Sequence, residues 1–222
     1  MQCILESSEL KNQKAAVQAE TARVPPTQEA ILDAAIQSFL QRGYGGTSID
    51  LVARDANVAR RTIYNQFDSK EALFEASIRR VWRDFPVLDI TKDEAAMADP
   101  AEGLTRLGQA VADFWAPPVA VALLRMVIAE STAFPDLVKR FMTAGKEPAM
   151  RALVDYLLGC KRRKTLALDD TVRSAKQFLG LINEPLLWLR VIGAETKVQS
   201  PAERKRVVKE AVAIFMKAYG QR

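Results

Sequence analysis

The sequence predicts an all-α protein, and three observations support this class. Apolar residues recur every three to four positions through most of the chain, which is helical spacing. Several helix starts carry a cap residue, a proline and an acidic residue in order, as in Asp99-Pro100-Ala101-Glu102 and Ser200-Pro201-Ala202-Glu203. No segment reads clearly as a strand. We therefore expect about nine or ten helices, divided between residues 27–85 and residues 86–222, after a polar leader over residues 1–26.

The first helix is predicted to begin near Thr27 and to end at Gly43. Pro25-Pro26 marks its junction with the leader, and Gly43 stands where the amphipathic pattern stops. One apolar stripe runs along this helix and consists of Ile31, Leu32, Ala35, Ile36, Phe39 and Leu40. A stripe of this kind packs against other helices, so the first helix belongs to a compact helical unit.

Residues 47–74, TSIDLVARDANVARRTIYNQFDSKEALF, are the most informative part of the chain. They predict two short helices, a tight turn between them and the start of a third helix. Thr47 is the predicted N-cap of the first of these, and Asp50 completes a capping box. Asn57 lies in the turn, because asparagine tolerates a left-handed backbone. The second short helix is predicted over residues 59–67.

The second short helix has two different faces. Ile63 and Phe67 point inward, four residues apart. The other face carries groups that bond phosphates and base edges, namely Arg60, Arg61, Thr62, Tyr64 and Asn65. Asp68-Ser69-Lys70-Glu71 then caps a third helix that runs to about Phe85. This arrangement is a helix-turn-helix with its recognition helix at residues 59–67.

Residues 27 to 80 together resemble the amino-terminal DNA-binding domain of TetR-family transcriptional regulators. Three positions depart from the family pattern: Asn57 replaces a usual glycine, Arg61 a common small residue, and Gln66 a common His or Tyr. The resemblance implies double-stranded DNA as a partner. We expect Thr47, Ser48, Tyr64 and Lys70 to hold phosphates, and Arg60, Arg61, Thr62 and Asn65 to read bases.

Composition excludes some functions and leaves others open. The chain has no histidine, so it has neither a Ser-His-Asp triad nor an imidazole metal site, and we predict no enzyme activity, metal or cofactor. The net charge of +5 does not itself indicate DNA binding, because acidic and basic residues balance between residues 27 and 84. Cys3 and Cys160 form no disulfide pattern, and no long apolar run predicts a membrane span, so we expect a cytoplasmic protein.

The second unit is predicted as a series of helices broken by proline and glycine. After a loop over residues 86–98, helices are expected from Asp99 to Phe114, from Pro118 to Ser131, from Pro135 to Thr143, from about Pro148 to Cys160, from Asp170 to Ile192 with a kink at Pro185, and from Ser200 to Tyr219. The family resemblance implies that this unit binds an effector and forms a dimer.

The resemblance also implies that the last two helices pair with their mates across a two-fold axis. The predicted dimer-interface residues are Phe178, Leu181, Ile182, Val208, Val212 and Phe215, with Trp188 beside them. The alternative is that these side chains close the core of a single chain.

An apolar pocket between the helices is expected to take a small hydrophobic or aromatic effector. Its predicted residues are Phe114, Trp115, Met126, Glu130, Phe141, Met142, Asn183 and Trp188, with Glu130 and Asn183 orienting a polar group. The alternative for the apolar members is an ordinary helical core.

The function predicted by these patterns is a homodimeric transcriptional regulator, more specifically a repressor that binds a palindromic operator and is released by its ligand. The alternative is an all-helical small-molecule-binding or protein-interaction module without specific DNA binding. Salt dependence of DNA binding separates the two, because phosphate contacts release counterions. The leader is either a loose terminus or an arm that touches DNA through Lys11, Lys14 or Arg23.

Overall fold

The computed structural model of the protein describes residues 26–221 and confirms the all-α fold. The described part of the chain forms eleven helices. The first eight are α1 (Pro26–Gly46), α2 (Ile49–Asp55), α3 (Arg60–Tyr64), α4 (Lys70–Trp82), α5 (Val87–Lys92), α6 (Glu94–Ala98), α7 (Pro100–Phe114) and α8 (Pro118–Glu130). The predicted leader lies outside the described residues, apart from Pro26.

Two of the last three helices contain a π-helical turn. Helix α9 consists of Pro135–Phe141, the π-turn Met142–Lys146 and Glu147–Arg162; α10 consists of Thr171–Asn183, the π-turn Glu184–Trp188 and Leu189–Val191; α11 is Pro201–Tyr219. The described residues contain one isolated β-bridge, between Leu166 and Gly220, which ties the segment before α10 to the end of α11.

Local capping explains where most of these helices begin. The Asp99 side chain accepts hydrogen bonds from the backbone N–H groups of Ala101 and Glu102, as predicted. Asp170 and Ser200 cap α10 and α11 in the same way. These starts depend on residues within a few positions of one another, so the sequence pattern was sufficient to place them.

Two predictions about the second unit are wrong. The predicted loop over residues 86–98 contains α5 and α6, because the Asp93 side chain caps α6 by accepting from the Ala95 N–H. The predicted break between Thr143 and Pro148 is also absent, since the π-turn Met142–Lys146 carries the helix through this region. At Pro185 the helix is interrupted as predicted, and the interruption is a π-turn.

The apolar core does not divide at residue 85. Helices α1 to α4, which we call the reader unit, bury a cluster that includes Phe39, Ile63 and Phe74. Residues from α8 and α9 complete the same cluster; they are Leu123, Met126, Val127, Leu137 and Phe141. A second core lies between α7, α9, α10 and α11. The reader unit is therefore packed directly on α8 and α9.

Among the described helices, none is long and apolar enough on its own to cross a membrane. Helices α7 and α8 satisfy that length and composition test together, but only as a pair bent by 72°.

Candidate nucleic-acid interface and ligand cleft

Helix α2 begins one residue later than its capping pattern predicts. Ser48 is the N-cap, and its hydroxyl accepts a hydrogen bond from the Leu51 N–H. Thr47 is buried, and its hydroxyl donates to the Gly43 carbonyl at 2.8 Å and contacts the Ser38 hydroxyl. The predicted cap at Thr47 is therefore wrong. Its side chain supports the turn between α1 and α2, whereas the sequence predicts a phosphate contact.

The turn between α2 and α3 has the backbone that the sequence predicts. Asn57 has a φ of 54°, in the left-handed region. Helix α3 is shorter than predicted, because it covers Arg60–Tyr64 and ends in a turn at Asn65. Ile63 and Phe67 are both buried, as expected. The opposite face of α3 is exposed to solvent.

Arg60 is held in a defined orientation at the start of α3. Its Nη1 atom lies 3.2 Å from Asp50 Oδ1, and its Nη2 atom donates to the Tyr64 hydroxyl at 3.2 Å. The guanidinium carbon lies 5.3 Å from the centre of the Tyr64 ring. The hydrogen bond to Tyr64, followed by the charge of Asp50, raises the pKa of Arg60. These contacts fix a cation and an aromatic hydroxyl side by side on the surface.

The other residues of this face differ in their exposure and in their contacts within the chain. Arg61 and Asn65 are exposed, and Thr62 is half-buried. Arg61 forms no ion pair within the described residues, so its guanidinium is available to an external acceptor. Lys70 lies at the start of α4, with Nζ 4.3 Å above the Tyr44 ring, and partial burial lowers its pKa.

Arginines neutralise most of the acidic residues on the other sides of the reader unit. Glu29 of α1 forms ion pairs with Arg80 of α4 and with Arg83 just after that helix, and the hydrogen bond from Arg83 is the main reason that the pKa of Glu29 is lowered. Glu75 of α4 pairs with Arg140 of α9. A unit without net charge can therefore present cations on one face, where Arg60 and Arg61 lie.

Glu130 contacts the reader unit and does not line the predicted ligand pocket. Its Oε2 atom accepts a hydrogen bond of 2.9 Å from the Gly45 N–H, at the turn between α1 and α2. Gly43, in the same turn, has a φ of 73°, and a Cβ atom there would overlap the Glu130 carboxylate. The neighbouring Phe134 ring packs against Tyr44 at 5.1 Å. The end of α8 is thereby attached to the reader unit.

A narrow apolar cleft lies between α4, α7, α9 and α10, with a cavity of about 50 Å³. Of the predicted ligand residues, Phe114, Trp115 and Asn183 line it. Met142 and Trp188 line an adjoining open groove of about 530 Å³. Met126 and Phe141 instead pack in the core shared with the reader unit, so the ordinary-core alternative describes these two.

Several cleft residues were not predicted from the sequence. Trp82 and Phe85 come from the end of α4 and the segment after it, and Lys146 ends the first π-turn. The other unpredicted lining residues are Leu107, Val111, Ala149, Met150, Leu153, Phe178 and Leu179. The tryptophan is visible in the sequence, but nothing local indicates that the end of α4 reaches the second unit.

The predicted dimer-interface residues lie inside the single chain. Phe178, Ile182, Val208, Val212 and Phe215 are buried in the second core, and Leu181 packs against it. A side chain already covered by its own chain cannot also be covered by a partner, so the core alternative describes the five buried residues, whereas Leu181 is half-buried and its place in an interface stays a prediction. On α10 and α11 the large exposed apolar side chains are Val172, Trp188, Leu189 and Ile214, and Ile192 follows the end of α10.

Comparisons with known proteins agree with this arrangement. Residues 31–77 match the family described as bacterial regulatory proteins, tetR family. Residues 102–221, more than half of the chain, match the family described as AefR-like transcriptional repressor, C-terminal domain.

Curated proteins match short stretches of the chain. Over 51 residues the chain is 37% identical to the biofilm operon icaADBC HTH-type negative transcriptional regulator IcaR of Staphylococcus aureus (strain Newman), which is 23% of this chain and 27% of IcaR. Over 45 residues it is 56% identical to the HTH-type transcriptional regulator YhgD of Bacillus subtilis (strain 168), which is 20% of this chain and 24% of YhgD. The matched part thus spans about a quarter of each relative.

Solved structures match nearly the whole chain. The flavonoid-responsive regulator FrrA is 29% identical with a TM-score of 0.71, over 90% of this chain and 100% of FrrA. A TetR transcriptional regulator from Agrobacterium tumefaciens has a TM-score of 0.72 at 23% identity, over 89% of this chain and 96% of its own. The second similarity shows the fold alone.

Proposed function

Because the chain belongs to the TetR family of transcriptional regulators, we propose that it is a repressor that binds a palindromic operator as a homodimer and is released by a small hydrophobic or aromatic ligand. The observation that carries the proposal is the exposed face of α3, where Arg60 is fixed between Asp50 and Tyr64 beside an unpaired Arg61. Residues 27–85 would bind DNA, and residues 86–222 would bind the effector and form the dimer. The description of the carboxy-terminal family as a repressor domain supports the direction of regulation.

The DNA contacts follow from how each side chain is held. Ser48, Tyr64 and Lys70 would bond phosphates, because all three lie at helix ends or on the exposed α3 face. Arg61, Thr62 and Asn65 would reach base edges. Arg60 would contact both phosphates and base edges. Its contacts with Asp50 and Tyr64 limit the side-chain entropy lost when DNA binds.

The dimer would form through the exposed apolar side chains of α10 and α11. Large apolar side chains left in water favour burial against a partner. A two-fold axis between these helices would present two copies of α3 to successive major grooves, about 34 Å apart. This spacing predicts an operator with two inverted half-sites.

Ligand release would act through α4 and α8. Helix α4 belongs to the reader unit. It begins with Lys70, which lies over the Tyr44 ring, and it ends with Trp82 in the wall of the cleft. Helix α8 ends with Glu130 on the Gly45 backbone. A ligand that moves the Trp82 ring would shift both attachments, and allosteric couplings in proteins are typically about 1–3 kcal/mol. FrrA, which is described as flavonoid-responsive, supports an aromatic ligand.

Selection of bound duplexes from a randomised DNA pool tests the proposal. We expect enrichment of an inverted repeat whose binding falls steeply with salt. Arg60→Ala should weaken binding to all duplexes, and Arg61→Ala should change sequence preference. Arg173→Ala, an exposed arginine on α10, serves as the matched control. Unenriched DNA at low and moderate salt, or equal losses for all three variants, would contradict the proposal.

A further inference from the structure

The wall of the cleft is unusually rich in aromatic rings. Trp82 and Phe114 lie 4.2 Å apart between ring centres, and Phe114 and Trp115 lie 4.8 Å apart. Phe85 contacts both Trp82 and Phe114. Aliphatic side chains, including Leu153 and Leu179, form the facing wall. A narrow space against a surface of rings favours a flat aromatic molecule, because such a molecule stacks at ring contact distances.

One polar atom in the cleft wall lacks a partner. Asn183 Oδ1 is buried and accepts no hydrogen bond from the described residues. An unsatisfied buried acceptor is unfavourable, and a ligand that donates a proton to it removes this cost. The ligand group expected at Asn183 Oδ1 is therefore a hydrogen-bond donor.

Three cationic side chains line the cleft or the groove next to it. Lys146 lines both the cleft and the adjoining groove, and Arg151 and Lys176 line the groove. None of these three forms an ion pair within residues 26–221, and Glu147 is the one carboxylate in the groove lining. A positive opening favours a ligand oxygen that carries partial or full negative charge.

Lys146 and Asn183, the two polar residues of the cleft lining, both lie at π-helical turns. Lys146 is the last residue of the π-turn in α9, and Asn183 immediately precedes the π-turn in α10. A π-turn adds a residue to one helical turn and redirects the side chains beside it, and such turns occur frequently at functional sites. Two π-turns thus lie at one cleft, and a polar residue at each of these turns lines the cleft.

We propose that the effector is a planar aromatic molecule with a phenolic hydroxyl, whose ring extends from the adjoining groove of about 530 Å³ to the aromatic cleft and whose hydroxyl donates to Asn183 Oδ1, in the lining that also contains Lys146. A protonated phenol meets all three conditions, since its ring is flat, its hydroxyl donates a proton, and the same oxygen carries partial negative charge. The inference rests on the proposed function and narrows its ligand class.

Isothermal titration calorimetry of the full chain with three naphthalene probes tests the inference without DNA. The probes are 2-naphthol, 2-methoxynaphthalene, which lacks the donor, and decahydro-2-naphthol, which lacks the flat ring. We expect 2-naphthol to bind roughly tenfold more tightly than the methoxy compound, as the loss of one hydrogen bond to a buried acceptor implies. The saturated alcohol should bind more weakly than 2-naphthol.

Variants connect that preference to the named atoms. Asn183→Leu should bind both naphthalene ethers and alcohols equally, whereas Asn183→Asp, which keeps an acceptor, should retain the preference for the hydroxyl. Lys146→Met should weaken 2-naphthol binding at pH 7, where the hydroxyl is protonated, because it removes the cation from the lining beside the partial negative charge of the phenol oxygen. Lys161→Met, on the same helix but outside the cleft, should behave as wild type. Circular dichroism confirms that each variant is folded.

The results separate this inference from the proposed function. Equal binding of the two naphthalene probes by wild type, or an unchanged preference in folded Asn183→Leu, would overturn the inference. Binding of 2-naphthol with the expected preference, but without any change in affinity for the selected operator, would support the inference and contradict ligand-controlled release. Operator selection itself requires no ligand and is scored independently.

Discussion

Ile214 and Phe215 are neighbours on α11 that lie in opposite environments, and this contrast gives a sharp test of the dimer surface. Ile214 is 54% exposed, whereas Phe215 is 1% exposed and packs against Phe178 at 5.4 Å between ring centres. Full burial of an isoleucine side chain contributes about 1.5–3 kcal/mol, so covering the exposed half contributes about 1 kcal/mol per chain. A symmetric dimer contains two copies.

We therefore expect Ile214→Lys to weaken dimerisation by about 2 kcal/mol, which is roughly 30-fold in the dissociation constant. Leu189→Lys, on α10, should act in the same direction. Phe215→Ala should instead lower the free energy of unfolding by about 3–5 kcal/mol, as large-to-small changes in a core do. Sedimentation velocity across a concentration series measures dimerisation, and urea unfolding measures stability.

Ile128→Lys is the matched control, because Ile128 is 49% exposed on α8, which is not one of the two helices of the dimer surface. It should leave the sedimentation profile unchanged. An unchanged dissociation constant for Ile214→Lys and Leu189→Lys together would refute the assignment of the dimer to this surface. Urea midpoints are compared at one protein concentration, since the stability of a dimer depends on concentration.

Three further predictions concern hydrogen bonds and an ion pair within the chain. Arg190 is buried and donates to the carbonyls of Trp115 and Ala116, so Arg190→Met should cost about 2–4 kcal/mol in urea unfolding by leaving two acceptors unpaired; a loss below 0.5 kcal/mol would contradict this role. Glu130→Ala should speed amide hydrogen exchange at Gly45 by at least about tenfold, with Glu130→Gln intermediate; unchanged exchange by NMR would exclude the contact in solution. Glu29 has a lowered pKa in the folded chain, so its stabilising effect is present above its unfolded pKa and disappears as pH falls through the folded value. Unfolding free energies measured from pH 5 to pH 2 should accordingly fall less for Glu29→Gln than for wild type, and parallel profiles would contradict the ion pair.

Short-range patterns in the sequence predict the helix starts well, but they leave the choice between neighbouring candidates open. Asp99 and Ser200 cap α7 and α11 as predicted because each bond spans two or three residues. Thr47 and Ser48 are both suitable caps, and the burial of Thr47 against Ser38 decides between them. That contact spans nine residues and depends on how α1 and α2 pack.

Features that depend on packing between distant parts of the chain could not be predicted from local sequence patterns. Phe215 and Ile214 are both apolar residues on one helix, and only the packing of α7 and α10 against α11 decides which of them is covered. The cleft joins Trp82, Lys146 and Asn183, which are far apart in the chain. The exposed face of α3 was predictable because Arg60, Arg61 and Tyr64 lie within five positions on one short helix.

The core shared by the reader unit with α8 and α9 restricts how this protein could be recombined, in evolution or in the laboratory. Cutting the chain after residue 85 would remove Leu123, Val127 and Leu137 from that core and leave the matching surface of α4 in water. A chimera that joins this reader unit to a foreign effector domain must therefore supply substitutes for these side chains. The transferable module is the reader unit together with α8 and the first part of α9, and its natural crossover points lie outside that set.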